Sequence, residues 1–192
     1  MRLRVHFAGV GGQGTQTASR ILGEAAMRSG VPALVSALHG MAQRGGAVTN
    51  QVILGAARSP VVDRGEADVL LGFEPIEAAR SAPMARPGAL VIASTSRIVP
   101  FSLTAAGGTY PELDALLAPL REIAGRFLAI DAAGLASRAG DLRAVGPVVL
   151  GALAASSVLP FDPAALRAAL SDLSSDSRRA VNLAAYDLGA GA

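Results

Sequence analysis

Apolar residues fall along this chain in two alternating rhythms. Short apolar runs at Arg4–Ala8 (RVHFA), Pro32–Leu38, Val48–Leu54, Ala67–Gly72 (ADVLLG), Ala89–Ala93 (ALVIA) and Arg126–Ile130 (RFLAI) carry β-branched, aliphatic and aromatic residues and predict strands. Between them the apolar positions spread to helical spacing. Thr15–Ser29 places Ala18, Ile21, Leu22, Ala25 and Ala26 on one face and closes at Gly30, a helix-ending residue. Further helices are predicted from Glu74-Pro75 onward and over Pro111–Ala124, Ala132–Arg138, Val148–Leu159 and Pro163–Leu170, the last capped by Asp162. A final helix spans about Asp176 to Leu188, and Pro100–Tyr110 follows neither rhythm. Strands alternating with helices predict an α/β protein of three layers. Its mostly parallel sheet is covered on both faces and followed by C-terminal helices.

The 192 residues suit one domain, taken as 1–189, with a short tail at 190–192 and disorder expected from Gly189. Half of the residues are hydrophobic, enough for a sizeable core. The charge-free stretch from Ala144 to Phe161 approaches membrane-spanning length, but Pro147, Pro160 and its alanines make a buried helix the better reading. The N-terminal apolar stretch is short and runs into glycines, unlike a signal peptide, so a cytoplasmic protein is expected.

Composition excludes several chemistries. With no Cys, the chain has no thiolate nucleophile and no ligands for a Cys-bound iron–sulfur cluster. All 17 cations are Arg, which removes Schiff-base chemistry and the lysine of a Walker phosphate loop. Two histidines, His6 and His39, are too few for a His-rich metal site, so no metal site is assigned. A net charge of only +2 without a basic run, and aromatics at 4%, argue against a nucleic-acid partner. No catalytic residue is assigned.

Two glycine-rich loops remain. Gly9-Val10-Gly11-Gly12-Gln13-Gly14 satisfies G-x-G-x-x-G between a strand and a helix, and Thr15 adds a hydroxyl. Glycines permit a tight turn and close backbone approach, while the helix N-terminus offers N–H groups to an anion. The same residues also serve a strand-to-helix turn with no ligand. A dinucleotide would call for an acid after the second strand, and PALVSAL runs into His39 without one. The second loop, His39-Gly40-Met41-Ala42-Gln43-Arg44-Gly45-Gly46, follows a strand and should lie near the first at the carboxyl edge. Gly45 and Gly46 expose backbone donors, and Arg44 offers a planar fork to a phosphate or carboxylate, or serves a structural ion pair. Gln43 and His39 add hydrogen bonds, although His39 is equally well read as a hydrogen-bonded loop residue. Glu74 faces the same crevice or acts as a helix N-terminal charge, the second reading being favoured by the helix dipole.

GVGGQG opening a helix, HGMAQRGG after the second strand and DVLLGFEPIEAAR after the third resemble the gamma-type subunit or domain of the 2-oxoacid:ferredoxin oxidoreductases, as does the ending Asn182-Leu183-Ala184-Ala185. The likeness spans Val5 to about Gly189. Within that family, Tyr-Gly-Pro-Glu before Arg-Gly-Gly marks pyruvate and 2-oxoglutarate types. His-Gly-Met-x-Gln-Arg-Gly-Gly, present here, marks the type acting on indolepyruvate and other aryl 2-oxoacids. The chain departs from relatives at Gly146-Pro147-Val148-Val149, where Asn and Met are common.

The resemblance implies a Rossmann-like fold. It implies a small subunit, inactive alone, within an oxidoreductase that converts a 2-oxoacid to an acyl-CoA. Thiamine diphosphate, Mg and iron–sulfur clusters would reside in a large partner subunit, with ferredoxin as acceptor. No cofactor is assigned to this chain alone, CoA being the candidate ligand. Gly9, Gly11, Gly12, Gln13, Gly14, Thr15, His39, Gln43, Arg44, Gly45 and Gly46 form the expected ligand-facing set. A stand-alone nucleotide-binding domain and a non-catalytic assembly subunit are the rival readings.

Overall fold

A computed structural model describes residues 2–39, 46–98 and 109–192. Six strands form one sheet in the order β2-β3-β1-β4-β5-β6. They are β1 (Leu3–Val10), β2 (Ala33–His39), β3 (Ala47–Leu54), β4 (Ala67–Gly72), β5 (Ala85–Ser94) and β6 (Ala124–Ile130). The pairs β1–β4, β4–β5 and β5–β6 are parallel, whereas β3 runs antiparallel to both β1 and β2. β2 and β3 thus form a hairpin whose connection falls in residues 40–46. A parallel return would need a crossover of a dozen or more residues.

Helices cover both faces. α1 (Thr15–Arg28) packs on one face with α4 (Ala132–Ala139), α5 (Val145–Ala155), α6 (Pro163–Leu173) and α7 (Asp176–Ala190). α2 (Pro75–Ser81) and α3 (Leu113–Ile123) pack on the other. β4 is buried on both sides: Val69 and Leu71 join the α1-side core with Phe7, Leu22 and Leu150, while Leu70 meets Ala78, Leu117 and Leu120. That double burial explains why ADVLLG reads as a continuous apolar run.

The charge-free C-terminal segment is a buried helix, as expected, but it is α5 from Val145 to Ala155 and stops before Ser157, which has φ +60°. No helix among the described residues is long and apolar enough to cross a membrane. α5 and α7 touch backbone to backbone. A Cβ on Gly151 would lie 2.0 Å from the Tyr186 carbonyl oxygen, and one on Gly189 would lie 2.0 Å from that of Val148. The disorder expected from Gly189 is therefore corrected: Gly189 is a buried contact inside a helix that runs to Ala190. β5 also begins earlier than its apolar run Ala89–Ala93: Arg86-Pro87-Gly88 lies within the strand and Ala85 pairs with Ala67.

Candidate functional site

β1 and β4 lie side by side and parallel, yet their following helices go to opposite faces, α1 to one and α2 to the other. Such a reversal opens a crevice at the carboxyl ends of the strands, where α/β sheets bind ligands. The glycine loop occupies the β1 side of that point. Gly9 still belongs to β1, and a Cβ there would meet Thr15 Cγ2 at 2.8 Å and both Gln13 Oε1 and Phe73 Cβ at 2.9 Å, so close packing requires glycine. Gly12 and Gly14 have φ of +105° and +80° with open space around them, so backbone conformation selects glycine there.

Gly14 is the N-cap of α1, which has no side-chain cap and no acid in its first turn. The first-turn N–H groups therefore point outward without an intrahelical partner. Gly11, Gly12, Gly14, Thr15, Gln16, Thr17 and Val48 line an open cleft of about 430 Å³, within the range of small-molecule sites. Thr15 forms part of this wall although only 3% of it is exposed.

The second glycine loop is tied to the first. The Gly11 N–H donates to the Gly46 carbonyl at 2.9 Å, so Gly11 braces the two loops and its N–H is not offered to a ligand. His39 ends β2 in register with Val48. Gln43, Arg44 and Gly45 lie outside the described residues.

The Gln13 side chain does not face the cleft, which corrects its ligand-facing assignment. Its Oε1 accepts from the Val10 N–H at 2.8 Å, and its Nε2 donates to the Phe73 carbonyl at 2.9 Å. Its buried amide thus bridges the turns that follow β1 and β4.

Glu74 resolves to the helix role. Fully buried, it caps α2 by accepting from the Ile76 and Glu77 N–H groups at 2.8 and 3.1 Å. Its other oxygen accepts from the Tyr110 hydroxyl and from the Ile98 N–H. Burial, together with the neighbouring Glu74 carboxylate, pushes the Tyr110 phenol far up, so Tyr110 stays a neutral donor. Beyond β5 and β6, the Ser96 hydroxyl donates to Asp131 and accepts from the Ala133 N–H, while Asp131 caps α4. Tyr110 and Ser96 were not foreseen, because no local spacing links them to a carboxylate 36 or 35 residues away. Gln16, Thr17 and Val48 were also missed, although the first two could have been read as the exposed first turn of α1.

Comparison with known proteins fits this geometry. Residues 4–192 match the family model described as pyruvate ferredoxin/flavodoxin oxidoreductase. The chain belongs to this family. It is 42% identical over 161 residues to the indolepyruvate oxidoreductase subunit IorB of Archaeoglobus fulgidus, covering 84% of this chain and 80% of that one. Its fold is that of the gamma subunit of a keto/oxoacid ferredoxin oxidoreductase from Geobacter sulfurreducens, with a TM-score of 0.71 at 23% identity over 97% of this chain and 95% of that one. A 2-oxoglutarate:ferredoxin oxidoreductase from Magnetococcus marinus, solved with 2-oxoglutarate, coenzyme A and succinyl-CoA, aligns with a TM-score of 0.70 at 22% identity. The alignment covers 99% of this chain and 30% of that longer one. Family membership places this chain within a 2-oxoacid oxidoreductase system. Without a single Cys, its residues do not fit an iron–sulfur cluster of that system.

Proposed function

We propose that this chain is the small subunit of a cytoplasmic indolepyruvate-type, or other aryl 2-oxoacid, ferredoxin oxidoreductase. It acts with a large partner subunit that carries thiamine diphosphate, Mg and the iron–sulfur clusters, and ferredoxin accepts the electrons. The cleft at the N-terminus of α1 receives a phosphate-bearing part of CoA. The observation that carries this reading is the uncapped, acid-free start of α1 opening into a cleft of about 430 Å³ at the sheet's switch point. The Archaeoglobus relative and the CoA-bound Magnetococcus neighbour lend support.

In this role the chain binds and orients. The first-turn N–H groups of α1 supply donors that do not reorganise when a phosphate arrives, because Gly9 packing, the Gln13 bridge and the Gly11–Gly46 hydrogen bond fix the loop. Arg44, two residues before Gly46 in the sequence, supplies a guanidinium fork for phosphate or carboxylate. CoA, when bound, supplies the thiol that takes up the acyl group. Chemistry at the 2-oxo carbon belongs to the partner.

The test is an anaerobic pull-down of the tagged chain, followed by assay of the purified complex with indolepyruvate, CoA and an artificial acceptor. A large brown subunit should co-purify, and Arg44→Ala should raise the KM for CoA by about tenfold while the chain stays folded. A chain that elutes alone and binds a nucleotide tightly, or unchanged CoA kinetics in the Arg44→Ala complex, would overturn the subunit and loop assignments respectively.

A further inference from the structure

The sheet has two edges, and they are built differently. β6 closes one side and β2 the other, and among the described residues neither pairs with a strand beyond it. An edge strand presents unpaired N–H and C=O groups, a template for another extended chain unless side chains or irregularities guard it. β6 is guarded. Arg126 stands within the strand, its pairing with β5 shifts register between Ala89 and Leu90, and the Arg121 guanidinium lies over the Phe127 ring. β2 has no such device. Its seven residues pair with β3 one for one, from Ala33 with Leu54 to His39 with Val48, and include no Pro, Arg, Asp or Glu.

Apolar side chains flank this edge on both faces of the sheet. On one face Gly23 of α1 packs against Val35, since a Cβ there would lie 2.6 Å from Val35 Cγ2. Met27 follows one turn later on the same flank of the helix. On the other face the Ser36 hydroxyl donates to the Pro60 carbonyl at 3.4 Å, which sets Val61 beside the strand. Met27, Val35 and Val61 are three of the five large apolar side chains exposed among the described residues. Their concentration along one strand marks a surface that binds protein.

We propose that β2 is the docking edge for a second copy of this chain. The two strands pair antiparallel about a two-fold axis close to Val35 and Ser36, so that two six-stranded sheets become one. A row of alternating donors and acceptors calls for an extended partner. Self-pairing sets each residue near its own mirror image, where like charges would be destabilising. Ala33–Leu38 carries no charge, whereas the same pairing at β6 would bring Arg126 near its copy. The size also suffices. Seven residues span about 24 Å, and α1 on one face and the Pro60–Val61 segment on the other make the edge about 30 Å deep. Roughly 700 Å² is then covered on each copy, close to the ~800 Å² per partner of a stable complex. The assignment rests neither on CoA nor on the large subunit.

The experiment is sedimentation equilibrium of the full chain between about 1 and about 100 μM. A particle of twice 19.3 kDa is expected, with a Kd of about 10 μM or tighter. Val35→Lys and Val35→Glu should each weaken association by at least about tenfold, because each sets like charges together across the axis. An equimolar mixture of the two variants should restore it. The native chain has no Cys, so Val35→Cys reports on its own surface alone. A short bismaleimide should join two copies of Val35→Cys but not two copies of Ala129→Cys on β6. If the lysine and glutamate variants fail to fold, the cross-links decide. A monomer at the highest concentration, no recovery in the mixture, or linking at Ala129 instead of Val35 would each overturn the proposal. So would linking of Val35→Cys to the large subunit in the assembled complex, which would make that subunit the occupant of β2.

Discussion

β1 and β4 are neighbours, run in the same direction, and each turns at its carboxyl end into a helix, yet the two turns are opposites. After β4, Glu74 folds a fully buried carboxylate back onto the first turn of α2 and also accepts from Tyr110. After β1, the chain passes through Gly12 and Gly14 at positive φ, and α1 starts with neither a cap nor an acid. One helix start is closed by the protein's own anion. The other is left with N–H groups facing a cleft. The pair teaches that an uncapped start here is not a failure of capping chemistry, because the adjacent turn has solved the same problem from within. Gln13 joins the two, accepting from the Val10 N–H on one side and donating to the Phe73 carbonyl on the other.

The largest way to break this contrast is to remove the internal anion. Glu74→Ala strands the Ile76 and Glu77 N–H groups and the Tyr110 hydroxyl, in a place where each unsatisfied donor costs about 1–3 kcal/mol. The expected loss is about 4 kcal/mol, or about 10 °C in Tm for a chain of this length, read by urea and thermal unfolding. Glu74→Gln retains a carbonyl acceptor and should lose about half as much. An alanine variant within about 1 kcal/mol of the native chain would show that α2 is held by its packing and not by its cap.

Much of this was legible beforehand, and the rest was not for physical reasons. ADVLLG announced a strand buried on both faces, and Asp162-Pro163 announced a capped helix; both are set by neighbours within a turn or two of the chain. The reversed direction of β3 was legible in principle, since residues 40–46 are too few for a crossover, but the alternating rhythm masks a hairpin. Gln13 was misread because, in a turn, no period separates inward from outward. Its partners, Val10 and Phe73, are set by the sheet order. Gln43 and Arg44, central to the second motif, lie outside the described residues.

β1 itself carries the next effect. His6 is 3% exposed, and neither ring nitrogen has a partner among the described residues. Burial lowers its pKa from 6.5 to about 4. Between those values the unfolded chain takes up the proton and the folded chain does not, so stability falls as pH drops from 6.5 toward 4 and is retained above 6.5. The full loss is about 3 kcal/mol. Urea unfolding of the native chain and of His6→Leu at several pH values isolates this part, because carboxylate titrations are common to both. Equal pH slopes in the two would remove His6 from the account. Gln13→Ala comes next, at about 2 kcal/mol, since the Val10 N–H and the Phe73 carbonyl lose their shared partner. That loss should appear in the urea midpoint with an unchanged m value.

The smallest effect on stability is the sharpest on function. Gly14→Asp gives α1 what α2 already has, a carboxylate at its N-cap. Asp tolerates the left-handed conformation at φ +80° better than most residues, and no atom lies within 4 Å of the new Cβ. The backbone strain and the gain from capping and dipole are each about 1 kcal/mol and oppose one another, so stability should change by less than about 1 kcal/mol. The cleft, in contrast, then holds a negative charge where a phosphate should arrive. CoA affinity of the assembled complex should fall by at least about tenfold, measured by the KM for CoA or by direct calorimetry, while the melting curve barely moves. Gly14→Ala carries the strain without the charge and serves as the control. If the aspartate and alanine variants bind CoA equally well, the open start of α1 is only a turn, and the contrast with α2 belongs to folding alone.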